Sequence, residues 1–210
     1  MHVRREQGFT LVEVLITMAL MGVVSLALAD LVINALHQMS ATSDRLDMAQ
    51  DAQLGSTYFS RDVAAVGLRD YGAVTADGML PFQPSVQLSA AFTAGGITCG
   101  PVPDAVVRLL SDNWDTTVTP AVRRTAVVAY YVKVSDGVSE LRRAQCVGPA
   151  TSPSSDVRIA TGVKSGSLTV TCSSACDSAV LPADITLRFL LTKPSTGDYP
   201  VVLTGLRRQS

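Results

Sequence analysis

Histidine and tryptophan are scarce in this chain of 210 residues, which contains two histidines, His2 and His37, and one tryptophan, Trp114. So few imidazoles leave little material for a metal site or for acid–base catalysis. We also find no Walker A loop, no H-E-x-x-H, no G-x-S-x-G and no dinucleotide-binding fingerprint. The sequence therefore gives no positive sign of an enzyme, and no cofactor or metal is expected.

Charged residues are also scarce in this sequence. Only 17% of the residues are charged, whereas a typical soluble domain has about 25%. The net charge of −1 argues against a general nucleic-acid binder, which would be basic. The mean hydropathy is nevertheless positive, at +0.29. One segment must therefore be far more apolar than the rest, and a wholly disordered chain is excluded.

The apolar excess lies in residues 9–29, FTLVEVLITMALMGVVSLALA, in which the only charged residue is Glu13. As a helix this segment would span roughly 30 Å, the thickness of the hydrocarbon core of a bilayer. Arg4 and Arg5 precede it, and basic residues stay on the cytoplasmic side of a membrane. We therefore expect the residues after Asp30 to lie outside the cytoplasm, where disulfides can form.

An apolar segment near the N-terminus has two ordinary interpretations. One is a cleaved secretory signal, for which Ala27, Leu28 and Ala29 offer a small-x-small cleavage site. The other is an uncleaved signal anchor. Neither explains Glu13, because a carboxylate within a membrane segment is costly and usually has a partner.

A third interpretation accounts for Glu13. The stretch QGFTLVE, from Gln7 to Glu13, resembles the G-F-T-L-[IV]-E signature of type IV prepilins and type II secretion pseudopilins. The resemblance implies that the prepilin peptidase, an aspartic membrane protease, cleaves between Gly8 and Phe9, and that Phe9 is then N-methylated. It also implies that Glu13, with Thr10 of the same signature, acts in subunit assembly, where the glutamate meets the new N-terminal amine of a neighbouring subunit. Such a pair would gain about 4 kcal/mol at about 4 Å and an effective dielectric near 20.

Residues 30–66 contain no proline and are predicted to continue the membrane segment as an amphipathic helix. Apolar residues recur mostly three, four or seven positions apart, and the other faces carry charged residues that include Asp51 and Asp62. Gly67 is the predicted end of the helix. The expected division is a leader (1–8), a membrane-spanning half-helix (9–29), an amphipathic half-helix (30–67) and a β-rich globular domain (68–210).

The rest of the chain is patterned as strands. After an irregular Gly- and Pro-rich stretch, strand-like runs occur at 105–110, 125–134, 139–143, 168–171, 185–192 and 199–206, with Asp136 and Gly137 as a turn signal. Strands that follow one long helix predict an α+β fold, in which the helix packs on an antiparallel sheet. This order resembles PilW-type minor pilins and, less closely, the J-type pseudopilins. Arg61, Asp62 and Val63, followed by Gly67, resemble the segment that ends the helix in that family.

Four cysteines, Cys99, Cys146, Cys172 and Cys176, allow three disulfide pairings. Cys172 and Cys176 are closest and are flanked by small polar residues, which leaves Cys99 to pair with Cys146. A zinc site would use the same four thiolates, but Cys-x2-Cys pairs are missing and no histidine supports it. The predicted pairs are therefore 99–146 and 172–176, with zinc or free thiols as alternatives.

The sequence thus predicts a minor pilin of a bacterial type IV pilus, a structural subunit that primes assembly or lies near the tip, in adhesion, motility or DNA uptake. The alternatives are a type II secretion pseudopilin and a secreted β-rich enzyme or binding module with an ordinary signal. Expected partners are other pilins or pseudopilins in a filament, the prepilin peptidase, the membrane assembly platform and the lipid bilayer. The expected location is the bacterial inner membrane, with a single span and the globular domain outside the cytoplasm, and later the pilus or pseudopilus.

Nucleic acid is a further partner to consider. Three arginine pairs occur, at positions 123 and 124, 142 and 143, and 207 and 208. We interpret them as solvated strand ends, with a DNA-contact patch as the alternative.

Overall fold

The computed structural model describes residues 10–89, 99, 105–148, 150 and 152–208. The leader, with Gly8 and Phe9, lies outside the described residues, so the processing site stays a prediction. The chain divides into two compact units, residues 1–44 and residues 45–210.

One helix, α1 (Leu11–Ala64), accounts for the described part of the first unit after Thr10 and continues into the second. No proline interrupts its 54 residues. Its last turn tightens, because the Ala65 and Val66 N–H groups donate to carbonyls three residues back, at 3.2 and 3.1 Å. Gly67 follows with a φ of 149°, and its N–H donates to the Leu110 carbonyl at 3.0 Å. The chain therefore leaves the helix at the predicted glycine, although the helix proper ends at Ala64.

The described residues of the second unit form ten strands, which are arranged in three antiparallel sheets. The sheets have the orders β3-β4-β5-β6-β7, β10-β9-β8 and β1-β2. The strands are β1 (Leu68–Arg69), β2 (Phe82–Gln83), β3 (Val86–Leu88), β4 (Ala105–Asp115), β5 (Val122–Ser135), β6 (Val138–Val147), β7 (Ser155–Thr161), β8 (Thr169–Cys172), β9 (Asp184–Lys193) and β10 (Gly197–Leu206). The predicted α+β class, a long helix with antiparallel β-structure, is confirmed.

The β5–β6 hairpin shows why this part of the sheet was predictable. Asp136 and Gly137 have φ values of 52° and 77°, and they join Ser135 to its ladder partner Val138. Two consecutive positive φ values give the two-residue turn whose twist suits a hairpin, and Asp-Gly is a preferred sequence for it. The predicted turn is therefore confirmed, and the strands on both sides are longer than expected.

Several elements were missed. β7 was not predicted, because Asp156 and Arg158 interrupt its apolar alternation although Ile159 and Ala160 are buried. The stretch expected to be irregular contains the short strands β2 and β3. Strands of two or three residues carry too little periodicity to be recognised from sequence.

The core of the second unit lies between α1 and the two larger sheets. Met48, Phe59 and Val63 of the helix join a cluster of buried residues from β3–β7, β9 and β10, and partly buried residues of β8 pack against it. Two glycines allow the close approach: a Cβ at Gly55 would meet Leu203 Cδ1 at 3.1 Å, and a Cβ at Gly205 would overlap Val63. Because these two glycines have no side chains, residues 45–64 of the helix can pack closely against β10 and β7.

Candidate functional site

The helix start is built by Thr10. The Glu13 N–H donates to Thr10 Oγ1 at 3.3 Å, and the Val14 N–H donates to the Thr10 carbonyl at 3.2 Å. Thr10 is therefore the N-cap residue, with Glu13 three positions on, the spacing of a capping box. This capping role was missed in the sequence, although T-x-x-E before an apolar run is its recognised signal. The carboxylate in the first turn is also favoured by the helix dipole.

The helix in the first unit presents an apolar surface on all sides. An 18-residue window has a mean hydropathy of 2.3, with none of it buried against the rest of the chain. By length and composition this is the one helix, among the described residues, that could cross a membrane. The exposed large side chains up to residue 39 are Leu11, Val12, Val14, Leu15, Ile16, Met18, Leu20, Met21, Val23, Val24, Leu26, Leu28, Leu31, Val32, Ile33, Leu36 and Met39. Such a surface is unfavourable in water and fits the interior of a bilayer.

Glu13 is the only charged residue between positions 10 and 29. Within the part of the chain that the structure describes, no group is hydrogen-bonded or ion-paired to its carboxylate. In lipid, an ionised carboxylate without a partner is costly. The geometry therefore leaves room for a cation from another chain at this position.

A second charged cluster is buried in the second unit. The Asp62 carboxylate accepts hydrogen bonds from Arg143 Nε at 2.6 Å and Arg143 Nη2 at 2.8 Å. The Tyr130 hydroxyl donates to Asp62 Oδ2 at 2.7 Å, and the Tyr130 ring packs edge-on against Phe59. The side chains of Asp62 and Arg143 are only 4% and 3% exposed. The prediction that Asp62 lies on the polar face of the helix was wrong.

The environment of this cluster perturbs two titrations. Burial, helped by the charge of Asp62 and the hydrogen bond to it, raises the pKa of the Tyr130 phenol far above its ordinary value. Burial alone would lower the pKa of Arg143, but the hydrogen bond and charge of Asp62 outweigh it, and the pKa is raised. The guanidinium of Arg143 therefore stays charged and the phenol of Tyr130 stays protonated at neutral pH, which suits a structural tie between α1 and the strands β5 and β6.

The cysteines form the two disulfides that the sequence spacing predicts. Cys99 pairs with Cys146, with a Cα–Cα distance of 5.6 Å, and Cys172 pairs with Cys176 at 5.4 Å. The zinc alternative is overturned, because the four sulfurs form two disulfide bonds and no thiol is left free. Among the described residues no other group of three or more His, Cys, Asp or Glu could hold a metal ion.

The arginine pairs are not simply solvated strand ends. Arg123 pairs with Asp112 at 2.6 Å and Arg124 with Asp115 at 3.0 Å. Arg142 contacts Glu140 and Asp156, at 2.8 and 3.0 Å. With Arg143 held by Asp62, at least four of the six guanidinium groups face carboxylates of their own chain. Their charge is therefore largely neutralised, which weakens the interpretation as a DNA-contact patch.

Comparison with known families identifies the N-terminal segment. Residues 3–29 match the family model of the prokaryotic N-terminal methylation motif. The match supports a type IV pilin-like protein, a structural class, and implies processing by the prepilin peptidase, assembly with other pilins and anchoring in the inner membrane. No curated protein and no solved structure matches the chain. The PilW or J-type subfamily stays a prediction.

Proposed function

We propose that the protein is a minor pilin of a bacterial type IV pilus. It would be processed between Gly8 and Phe9, anchored in the inner membrane by residues 9–29, and incorporated into the filament near its tip or at the start of assembly. Its β-rich domain would lie outside the cytoplasm, and the protein would act as a structural subunit.

One observation carries this proposal: a lone carboxylate, Glu13, stands within an exposed apolar helix and inside the segment matched by the methylation motif. The described chain offers it no partner. A cleaved chain acquires a cationic amine at Phe9, and the amine of a neighbouring subunit would compensate the charge of Glu13 in the lipid. Assembly would thereby depend on processing, because the cation does not exist before cleavage.

The test uses Glu13→Gln, which keeps the size and hydrogen-bonding shape of the side chain and removes its charge. We expect cleavage to proceed normally, because the scissile bond is unchanged. The pair is worth about 4 kcal/mol at most, and every 1.4 kcal/mol is a factor of ten, so incorporation should fall by between about tenfold and several hundredfold. The measurement is the amount of subunit in sheared filaments relative to the membrane pool.

Asp30→Asn is the matched control, because Asp30 is the next carboxylate along the helix and lies beyond the apolar run. It should incorporate like the wild type. Normal incorporation of Glu13→Gln would contradict the proposed role of the charge, whatever the control shows.

A further inference from the structure

β10 is an edge strand: β9 covers one side of it, and no described strand pairs with the other. Contacts on the far side of β9 fix which backbone groups face the open edge. The Lys164 N–H donates to the Leu190 carbonyl at 2.9 Å, and the Thr192 N–H donates to the Gly162 carbonyl at 2.7 Å. Leu190 and Thr192 therefore direct their backbone groups away from β10.

In an antiparallel ladder, two residues that face each other direct their backbone groups either toward or away from one another, and the pattern alternates. The partners of Leu190 and Thr192 are Pro200 and Asp198. The even-numbered residues of β10 consequently direct N–H and C=O groups to the open edge. Pro200 fits this pattern, because proline has no N–H to lose and is tolerated on edges.

The open stretch of this edge is short and well bounded. Pro200 ends it on one side, and on the other the Arg208 N–H already donates to the Ala64 carbonyl at 3.2 Å. Between them lie Val202, Thr204 and Leu206, whose outward backbone groups have no protein partner among the described residues. Alternate residues of a strand are about 6.6 to 6.8 Å apart, which is the repeat that an added strand requires.

A groove of about 450 Å³ runs beside this edge, in the second unit. It is lined by Ser60, Arg61, Ala64, Thr204, Leu206 and Arg208. Leu206 is 66% exposed, and the side chain of Arg61 is 64% exposed, with Asp62 3.8 Å away. None of the described residues that line the groove carries a carboxylate. The groove thus combines a bare strand edge, an exposed apolar side chain and two cations.

We propose that this edge accepts an extended segment of a different protein chain, which adds as a strand to β10 and places a carboxylate against Arg61 and Arg208. Main-chain hydrogen bonds at Val202, Thr204 and Leu206 would hold the segment, and the arginines would select its charge. The inference concerns the second unit alone and does not depend on the pilin assignment.

A second copy of β10 is a poorer occupant. The acidic residue of β10, Asp198, is already bonded by Lys164 Nζ and by Thr192 Oγ1, the latter at 2.7 Å. Pairing β10 with β10 would therefore bring no free carboxylate to the two arginines. A carboxylate on a segment of another chain is not held by these hydrogen bonds and could pair with the two arginines.

The test uses the full chain in detergent micelles and a synthetic peptide, acetyl-TVTVTVDT-amide, as the probe. We expect the peptide to shift the NMR signals of the Val202, Thr204 and Leu206 amides and to slow their hydrogen exchange. Thr204→Pro removes one outward N–H and no β9–β10 ladder bond. Because the variant loses one main-chain hydrogen bond and proline also crowds the edge, binding should weaken by about tenfold.

Thr204→Val is the matched control: it loses the same hydroxyl, which lies 3.1 Å from Thr186 Oγ1, but keeps the N–H, and it should bind like the wild type. Arg208→Glu should reverse the charge preference of the groove, so that a peptide in which lysine replaces the aspartate binds more tightly than the original peptide. Equal binding by Thr204→Pro and Thr204→Val would overturn the proposal. So would shifts confined to other strands, or protection of the β10 edge by self-association without peptide.

Discussion

At the scale of single residues, Asp62 holds α1 to the sheet. Its carboxylate is buried and is bonded by both Arg143 and Tyr130. Removing one partner of such a pair leaves an uncompensated buried charge, which is far worse than replacing both. The role was not predictable from the helix pattern, because the partner Arg143 lies 81 residues away in the sequence.

We expect Asp62→Asn to lower the free energy of unfolding by about 3–5 kcal/mol. The double variant Asp62→Leu with Arg143→Met should be less destabilised than Asp62→Asn, since it leaves no unpaired ion. Urea unfolding of the full chain in detergent measures both. A loss for Asp62→Asn within the scatter of surface substitutions would show that the pair contributes nothing.

Tyr130 makes the stability depend on alkaline pH. The unfolded phenol ionises near about pH 10, whereas the folded phenol keeps its proton because burial and Asp62 raise its pKa. Above that pH the folded state binds more protons than the unfolded state, so the free energy of unfolding falls as pH rises. Tyr131, whose pKa is raised by burial and by its hydrogen bond to Asp156, adds to the same trend.

Tyr130→Phe should flatten the decline of stability above about pH 10, even though it loses a hydrogen bond and is less stable at neutral pH. Unfolding free energies measured from neutral to alkaline pH give the slope. An unchanged slope in the variant would mean that another group controls the alkaline transition.

At the scale of elements, the long helix could be predicted from the sequence, but the strands on which it packs could not. The absence of proline and the spacing of Phe59 and Val63 indicated a helix with one buried face. Nothing local indicated which strands meet that face, because contacts such as Gly55 with Leu203 join distant parts of the chain. Likewise the signature that contains Glu13 could be recognised from seven consecutive residues, whereas the open edge of β10 follows only from the strand order.

Gly55 of the helix and Gly205 of β10, which meet at the contact between these two elements, should respond differently to substitution by alanine. At Gly205 a new Cβ would overlap the Cβ of Val63, while at Gly55 it would meet the ends of Leu203 and Ile159 side chains at 3.1 and 3.2 Å. Flexible side-chain ends can shift, but a Cβ fixed to the helix cannot without moving the backbone. We expect Gly205→Ala to be destabilised by about 1–3 kcal/mol, the range for overpacking, and Gly55→Ala by less. Thermal unfolding in detergent compares them, and the reverse order would contradict this account of the packing.

At the scale of the whole molecule, the two units differ in what surrounds them. In the first unit, residues 10–29 expose apolar side chains, whereas the second unit buries many of its apolar residues in a core and contains two disulfides. The chain thus combines a segment suited to lipid with a domain suited to an oxidising aqueous compartment. This division fits a type IV pilin-like protein and gives Glu13 its significance, because it is the one charge in the lipid-like segment.

Intact-mass measurement of the subunit extracted from cell membranes and from sheared filaments tests this account most directly. We predict a chain that begins at N-methylated Phe9 and runs through the entire apolar helix. Chains that retain Met1 to Gly8, or that begin at Asp30 after loss of the apolar segment, would contradict it.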